Sequence, residues 1–98
     1  MSNTLQIETR VSTSKAESYL HKLCRHFSHK VDSTWEGGTG QIQFSIGRCE
    51  MKSTDDTLFI ECESSSKDEL LELMELIKSH FERFSVKDNL SMEWPSVA

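Results

Sequence analysis

Apolar and polar side chains alternate along several short stretches of the chain. Between Leu5 and Val11, positions such as Ile7 and Thr9 alternate with the polar residues between them. A period of two indicates a β-strand with one buried face. The same period recurs in QIQFSIG (41–47), RCEMKS (48–53), TLFIECE (57–63), NLSMEW (89–94) and, more weakly, VDSTW (31–35).

The segments between the middle strands are short and rich in turn-forming residues: EGGTG (36–40), the Gly47-Arg48 pair and STDD (53–56). Such segments favour antiparallel hairpins, so the four strands that they join are predicted to form a meander. Clean alternation leaves one sheet face apolar and the other polar, whereas parallel sheets covered on both faces show continuous apolar runs. Helices should therefore cover only one face.

Two other segments show the helical period of about 3.6 residues. Each begins with a serine three residues before a glutamate, Ser14 with Glu17 and Ser66 with Glu69. This is the spacing of a capping box, so the helices are expected to start near residues 14 and 66. Their apolar stripes are Ala16, Tyr19, Leu20, Leu23, Cys24 and Phe27 in the first helix, and Leu70, Leu73, Met74, Ile77, Phe81 and Phe84 in the second.

These elements predict an α+β, two-layer sandwich in the order β-α-β-β-β-β-α-β. Its largely antiparallel sheet has about six strands, with both helices on one face. In this arrangement Phe44 and Ile60 of the sheet face Leu20 and Met74 of the helices. A chain of 98 residues is long enough for one core and too short for two, so residues 1–98 are expected to form a single domain.

The charge and hydropathy of the chain exclude several classes of function. The formal net charge of −5 argues against a nucleic-acid binder, because phosphate backbones attract basic faces. No apolar run approaches the roughly 18 residues of a membrane span. The first ten residues, MSNTLQIETR, lack the basic start and apolar segment of a secretory signal. We therefore expect a cytoplasmic protein that binds neither nucleic acid nor membrane.

The cysteines are expected to be structural. Cys24, Cys49 and Cys62 show no CxxC spacing, and each lies in phase with the apolar residues of its segment. Buried, reduced thiols fit this pattern better than disulfides or a zinc site.

The segment LCRHFSHK (23–30) concentrates a thiol, two imidazoles and two cations. Because a helix advances about 100° per residue, Cys24 and His26 point about 200° apart and are poorly placed to ligate one metal ion. His26 and His29 share a flank of the helix, a spacing that suits two imidazole ligands if a third comes from elsewhere. In the alternative, structural role, the imidazoles and Lys30 meet free carbonyl groups at the helix C-terminus.

A similar pair, His80 and Arg83, lies at the end of the second helix. If the two helices pack antiparallel, these ends are expected at opposite edges of the domain. If they pack parallel, His80 and Arg83 converge with His26 and His29. The orientation of the helices therefore decides whether the basic residues form one site.

Three motifs carry a resemblance to a known family: YLxxLCxHxxHK at residues 19–30, Gly-Arg at 47–48 and HxxRF at 80–84. With them the chain resembles, over nearly its whole length, domain-of-unknown-function family 2218, an uncharacterised bacterial family. In some relatives the domain is encoded beside, or fused to, siderophore-interacting flavin reductases. The resemblance implies no established activity, and it implies an anionic or iron-linked ligand, or such a reductase, as partner.

Three functional hypotheses remain open, and the chain is expected to act as a monomer or a homodimer. The first is a non-enzymatic binding or accessory domain, linked by resemblance to iron or siderophore metabolism, without cofactor, metal or catalytic residue. The second is a small enzyme with His26 or His29 as general base. The third is an interaction module that uses the polar sheet face, with Phe59 as an exposed apolar contact. The candidate ligand-binding residues of the first hypothesis are His26, His29, Lys30, Arg48, His80 and Arg83.

Overall fold

A five-stranded sheet and two α-helices make up the computed structural model, which describes residues 4–96. The elements in chain order are β1 (Leu5–Ser12), α1 (Ala16–Phe27), β2 (Asp32–Glu36), β3 (Thr39–Phe44), β4 (Gly47–Ser53), β5 (Thr57–Ser64), α2 (Lys67–Phe84) and a short 3₁₀ helix (Val86–Asp88).

The sheet has the strand order β1-β5-β4-β3-β2, and every neighbouring pair is antiparallel. The predicted meander from β2 to β5 and the α+β class are confirmed. Since β1 and β2 are the two edge strands, α1 must cross the sheet from one edge to the other. It does so on the face where the alternating apolar side chains are buried.

The core lies between this sheet face and the two helices. Phe44 and Ile60 belong to the same buried cluster as Leu20 and Met74, as the alternation predicts. Gly40 on β3 allows α1 to come close, because a Cβ at this position would lie 2.7 Å from Cys24 Sγ and 3.0 Å from Leu20 Cδ2. Any larger residue there would push α1 away from the sheet.

The second capping box is confirmed and the first is wrong. At α2 the Ser66 side chain accepts a hydrogen bond of 3.2 Å from the backbone N–H of Glu69. At α1 the N-cap is Lys15, without a side-chain cap, and the helix begins at Ala16. The backbone N–H of Lys15 donates to Thr13 Oγ1 instead, at 3.1 Å. Because Thr13 is still tied to the β4–β5 turn by a backbone hydrogen bond, the first helical turn starts after Ser14.

The predicted sixth strand, residues 89–94, does not form. Met92 is fully buried, as the alternation of the segment predicts. The backbone, however, bonds to side chains rather than to a neighbouring strand. Met92 N–H donates to Glu82 Oε2 at 2.9 Å, and the carbonyl of Glu93 accepts from the hydroxyl of Thr9. The segment therefore packs against the core without joining the sheet.

A polar contact ties α1 to the end of α2. The hydroxyl of Tyr19 donates to Asp88 just after α2, and Lys15 Nζ lies 3.1 Å from the same carboxylate. Burial and the Asp88 carboxylate raise the pKa of Tyr19 to about 12. The hydrogen bonds from Tyr19 and Lys15 lower the pKa of Asp88.

Replacing Ile77 should test the packing of α2. Ile77 is fully buried, whereas Leu71 on the same helix is 43% exposed. We expect Ile77→Ala to lower the free energy of unfolding by about 2 to 5 kcal/mol. Leu71→Ala, the matched control, should change it by no more than about 0.5 kcal/mol. Urea denaturation measures both, and equal losses would contradict the buried face assigned to α2.

Tyr19 is the single tyrosine of the chain, so its ionisation can be followed by ultraviolet absorbance. We expect Asp88→Asn to lower the pKa of Tyr19 from about 12 toward the usual value of about 10. The pKa of Tyr19 is higher in the folded than in the unfolded protein, so its neutral hydroxyl contributes to the stability of the fold. This contribution is complete below about pH 10 and is lost as the pH rises further. Asp55→Asn, in the β4–β5 turn, is the control. An unchanged titration in Asp88→Asn would remove Asp88 as a cause.

Candidate functional site

His26 and His80 meet although the helices run in opposite directions. Along α1, Tyr19 contacts Asp88, Lys22 lies near Phe84 and His26 lies beside His80. Later residues of α1 thus meet earlier residues of α2, so the two helices are antiparallel. The expectation that antiparallel helices would keep these residues apart is wrong. The reason is that α2 has 18 residues and α1 has 12, and α1 packs against the C-terminal half of α2. The centroids of the two imidazole rings lie 5.0 Å apart.

Aromatic rings surround the two imidazoles. The ring centroid of His26 lies 5.0 Å from that of Phe27 and 5.3 Å from that of Phe84. His80 lies 4.9 Å from Phe27, which in turn packs edge to face on Phe44 of the sheet. The imidazoles are thus held by rings that belong to, or rest on, the core, and their positions are fixed by the same packing.

Positive charge gathers around His26. We call the five residues His26, His29, Lys30, His80 and Arg83 the helix-end cluster. The pKa of His26 is lowered, first because the ring is partly buried and then because of the charges of the other four members. A positive potential that disfavours protonation of an imidazole also disfavours a metal cation and favours an anion.

The tautomer of His80 follows from its surroundings. His80 Nδ1 lies 2.8 Å from the backbone carbonyl oxygen of Leu76. A carbonyl oxygen can only accept, so Nδ1–H donates and Nε2 stays available for another partner. This bond also fixes the orientation of the ring.

Other groups already satisfy the carbonyls at the end of α1. Cys24 O accepts from Ser28 N–H at 3.0 Å and from Ser33 Oγ at 2.8 Å. Arg25 O accepts from Ser28 Oγ at 2.6 Å, and Phe27 O accepts from two backbone N–H groups of the following turn. These three carbonyls therefore do not need the basic side chains, which weakens the structural explanation of those side chains.

The basic side chains of the helix-end cluster are not used inside the protein. Within residues 4–96, no hydrogen bond or ion pair joins the side chain of His26, His29, Lys30 or Arg83 to another residue. Only His80 has such a bond, through Nδ1. The side chains of His29, Lys30 and Arg83 are exposed, and those of His26 and His80 are partly so.

Arg48, the sixth candidate residue, lies elsewhere. Its side chain projects from the sheet face opposite the helices and lies 3.3 Å from Glu63 and 3.4 Å from Glu50. Gly47, its neighbour in the motif, runs so close to β5 that a Cβ would overlap the carbonyl of Glu63. The Gly-Arg part of the motif is thus explained by strand packing, and the structure does not bring Arg48 to the cluster.

The open sheet face carries a feature that the sequence pattern did not reveal. Glu8, Glu61 and Glu50 stand directly opposite one another on β1, β5 and β4. This row lines a shallow concave region of about 770 Å³. Phe59, expected to be exposed, is only partly so and lies in the same region. The alternation of apolar and polar residues places each glutamate on the polar face, but only the register between the strands brings the three into one row.

The three cysteines are free and buried, as predicted. The pKa of Cys49 is raised by its contact with Cys62 and by burial. The pKa of Cys24 is raised chiefly by burial. Thiols of this kind are poor nucleophiles.

The part of the chain that the structure describes also bears on metal ions and on membranes. No group of three or more His, Cys, Asp or Glu side chains is arranged there to hold a metal ion. Neither α1 nor α2 combines the length and apolar character needed to cross a bilayer.

The protein is a small two-layer α+β domain with a cluster of basic and imidazole side chains where its two helices meet. The model of the DUF2218 family, described as "Uncharacterized protein conserved in bacteria", matches residues 8–95, and the chain belongs to this family. The resemblance stated from the motifs is confirmed.

A solved structure supports the fold. The protein PA4090 from Pseudomonas aeruginosa, determined by NMR, is similar with a TM-score of 0.77 and 24% sequence identity. The similarity covers 92% of this chain and 94% of that one. At this identity the likeness shows the fold alone. The comparison with curated proteins finds no match.

The titration of His26 should report on the charge of the cluster. Its pKa is lowered, so we expect its imidazole resonances to titrate below about pH 6.5. The pKa of His26 is lower in the folded than in the unfolded protein, so its neutral ring contributes to the stability of the fold. This contribution is present above about pH 6.5 and is lost as the pH falls toward the folded-state pKa. Arg83→Gln should raise the pKa of His26. Arg10→Gln, on the open sheet face, should leave it unchanged, and an equal effect of both variants would show that Arg83 does not act locally.

Proposed function

We propose that this protein is a non-enzymatic binding domain that recognises an anionic group of a ligand or partner at the helix-end cluster. The observation that carries the proposal is the meeting of His26 and His80 from two helices, with their rings 5.0 Å apart. Basic side chains that have no partner inside the described chain surround this pair. Convergence of donors from distant parts of the sequence is typical of a binding site.

An anion fits the cluster better than a metal ion does. Arg83 and Lys30 remain charged at neutral pH and would repel a cation. Imidazolium, guanidinium and ammonium groups all donate charge-assisted hydrogen bonds to carboxylate, phosphate or sulfate oxygens. Because the groups come from both α1 and α2, an anion with several oxygens would bridge the two helices.

A binding role also fits the shape of the molecule better than catalysis does. The two best-defined concave regions on the described part of the chain lie on the open sheet face. A general base needs a substrate held within hydrogen-bond reach, usually in a cleft. The imidazoles instead lie at a surface packed with aromatic rings, which suits a flat contact.

An iron-linked partner is the finer form of this proposal. Its support is the resemblance, through the association of some relatives with siderophore-interacting flavin reductases. A ferric siderophore with net negative charge has the chemistry that the cluster would accept. It therefore enters the test as one anion among others, and the proposal does not depend on it.

Anion titration followed by NMR tests the proposal. The anions are sulfate, citrate and the anionic gallium complex of a siderophore, which replaces the ferric complex. We expect each to shift the resonances of His26, His29, His80 and Arg83. Arg83→Gln should weaken binding by about ten- to a hundredfold, because a charge-assisted hydrogen bond contributes about 1.5 to 3 kcal/mol. Ionic strength is held constant with sodium chloride.

Two controls make the result specific. Arg10→Gln removes the same charge from the opposite sheet face and should leave anion binding unchanged. Zinc is titrated separately, and a zinc site at His26 and His80 together with no response to any anion would overturn the proposal. Anion shifts spread over the whole surface would overturn it as well.

A further inference from the structure

We infer that the helix-end cluster takes up a proton together with its anion, and that His26 is the residue that receives it. This inference rests on the proposed function and adds its regulation: the site would bind anions more tightly as the pH falls. It follows from how the two imidazoles and their neighbours are placed.

The first step is the pairing of the rings. His26 and His80 lie 5.0 Å apart between centroids, so protons on both rings would place two positive charges side by side. His80 is fixed by the bond from Nδ1–H to Leu76 O, whereas no partner within residues 4–96 binds the ring nitrogens of His26. A positive charge on His80 therefore disfavours a proton on His26.

The second step concerns the charges that face His26. From α1 and the turn after it these are His29 and Lys30, and from α2 they are His80 and Arg83. The sheet contributes Phe44, which is uncharged and packs beneath Phe27. The charges that lower the pKa of His26 all belong to basic groups. Burial and these charges together lower the pKa of His26, so the free protein favours its neutral form.

The third step is the effect of a bound anion. An anion between Arg83, Lys30 and the imidazoles supplies the negative charge that the cluster lacks, and it can accept a hydrogen bond from a protonated ring. Protonation of His26 then becomes more favourable in the complex than in the free protein. By linkage, the anion binds more tightly where protons are more abundant, with a limit of about tenfold per pH unit for one proton.

Sulfate is the probe that tests this inference, because its charge does not change between about pH 5 and pH 8. Its affinity for the whole protein is measured by NMR across that range at constant ionic strength. We expect the affinity to rise as the pH is lowered, by up to about tenfold per unit for one linked proton. The rise should level off once His26 is protonated in the free protein. In saturating sulfate, His26 should titrate at a higher pH than it does without sulfate.

Three variants separate the possible outcomes. His26→Gln should keep weaker sulfate binding and lose most of its pH dependence. Arg83→Gln should weaken binding at every pH and keep the dependence. His21→Gln removes an imidazole from another flank of α1, where its ring bonds to Gly37 O, and should change neither. Amide spectra confirm that each variant is folded.

The results distinguish this inference from the proposed function. Sulfate binding at the cluster with the same affinity at all pH values would overturn the proton linkage and leave the anion site standing. A pH dependence that persists in His26→Gln would assign the proton to another group. If His26→Gln does not fold, the shift of the His26 titration by sulfate in the unchanged protein decides the question. The absence of sulfate binding at any pH would overturn both proposals.

Discussion

The close packing of α1 on the apolar face of the sheet is the constraint on which the other features depend. α1 must span from edge strand β1 to edge strand β2, and Gly40 permits it to lie directly on β3. Since the longer helix α2 packs its C-terminal half antiparallel to α1, His80, which lies before the last turn of α2, comes beside the end of α1. The contact of His26 with His80 is thus a consequence of strand order and helix length, and it requires no special loop.

The sequence predicted the parts of the fold that depend on periodicity. Burial of Phe44, Ile60 and the two helix stripes follows from periods of 2 and about 3.6. The prediction of a sixth strand was wrong, because alternation shows which side chains are buried but not which groups the backbone bonds to. Met92 is buried as its position in the pattern predicts, yet its N–H binds Glu82. In the same way, the spacing of Ser14 and Glu17 could not show that Thr13 remains bound to the turn.

The candidate site could be predicted only in part, because a motif groups residues by sequence and a site groups them by face. Arg48 belongs to a recognisable motif, but its period-two position sends it to the open sheet face with Glu50 and Glu63. His26 and His80 were predicted to meet only if the helices were parallel. That condition treated the helices as equal in length and overlooked where along α2 the shorter helix would rest.

Charge is distributed unequally between the two faces, and under the proposed function this would limit which anions the cluster recognises. The chain carries a net charge of −5, and the open face aligns Glu8, Glu61 and Glu50. At physiological ionic strength charges are screened beyond about 8 Å, so the basic cluster attracts an anion only at short range. A long polyanion would also meet the acidic remainder of the surface, whereas a compact anion would meet the cluster alone. Under the proposed function, the same screening would require the anion to contact His26 directly for the two to be coupled. A proton on His26 would then control binding without any change in the fold.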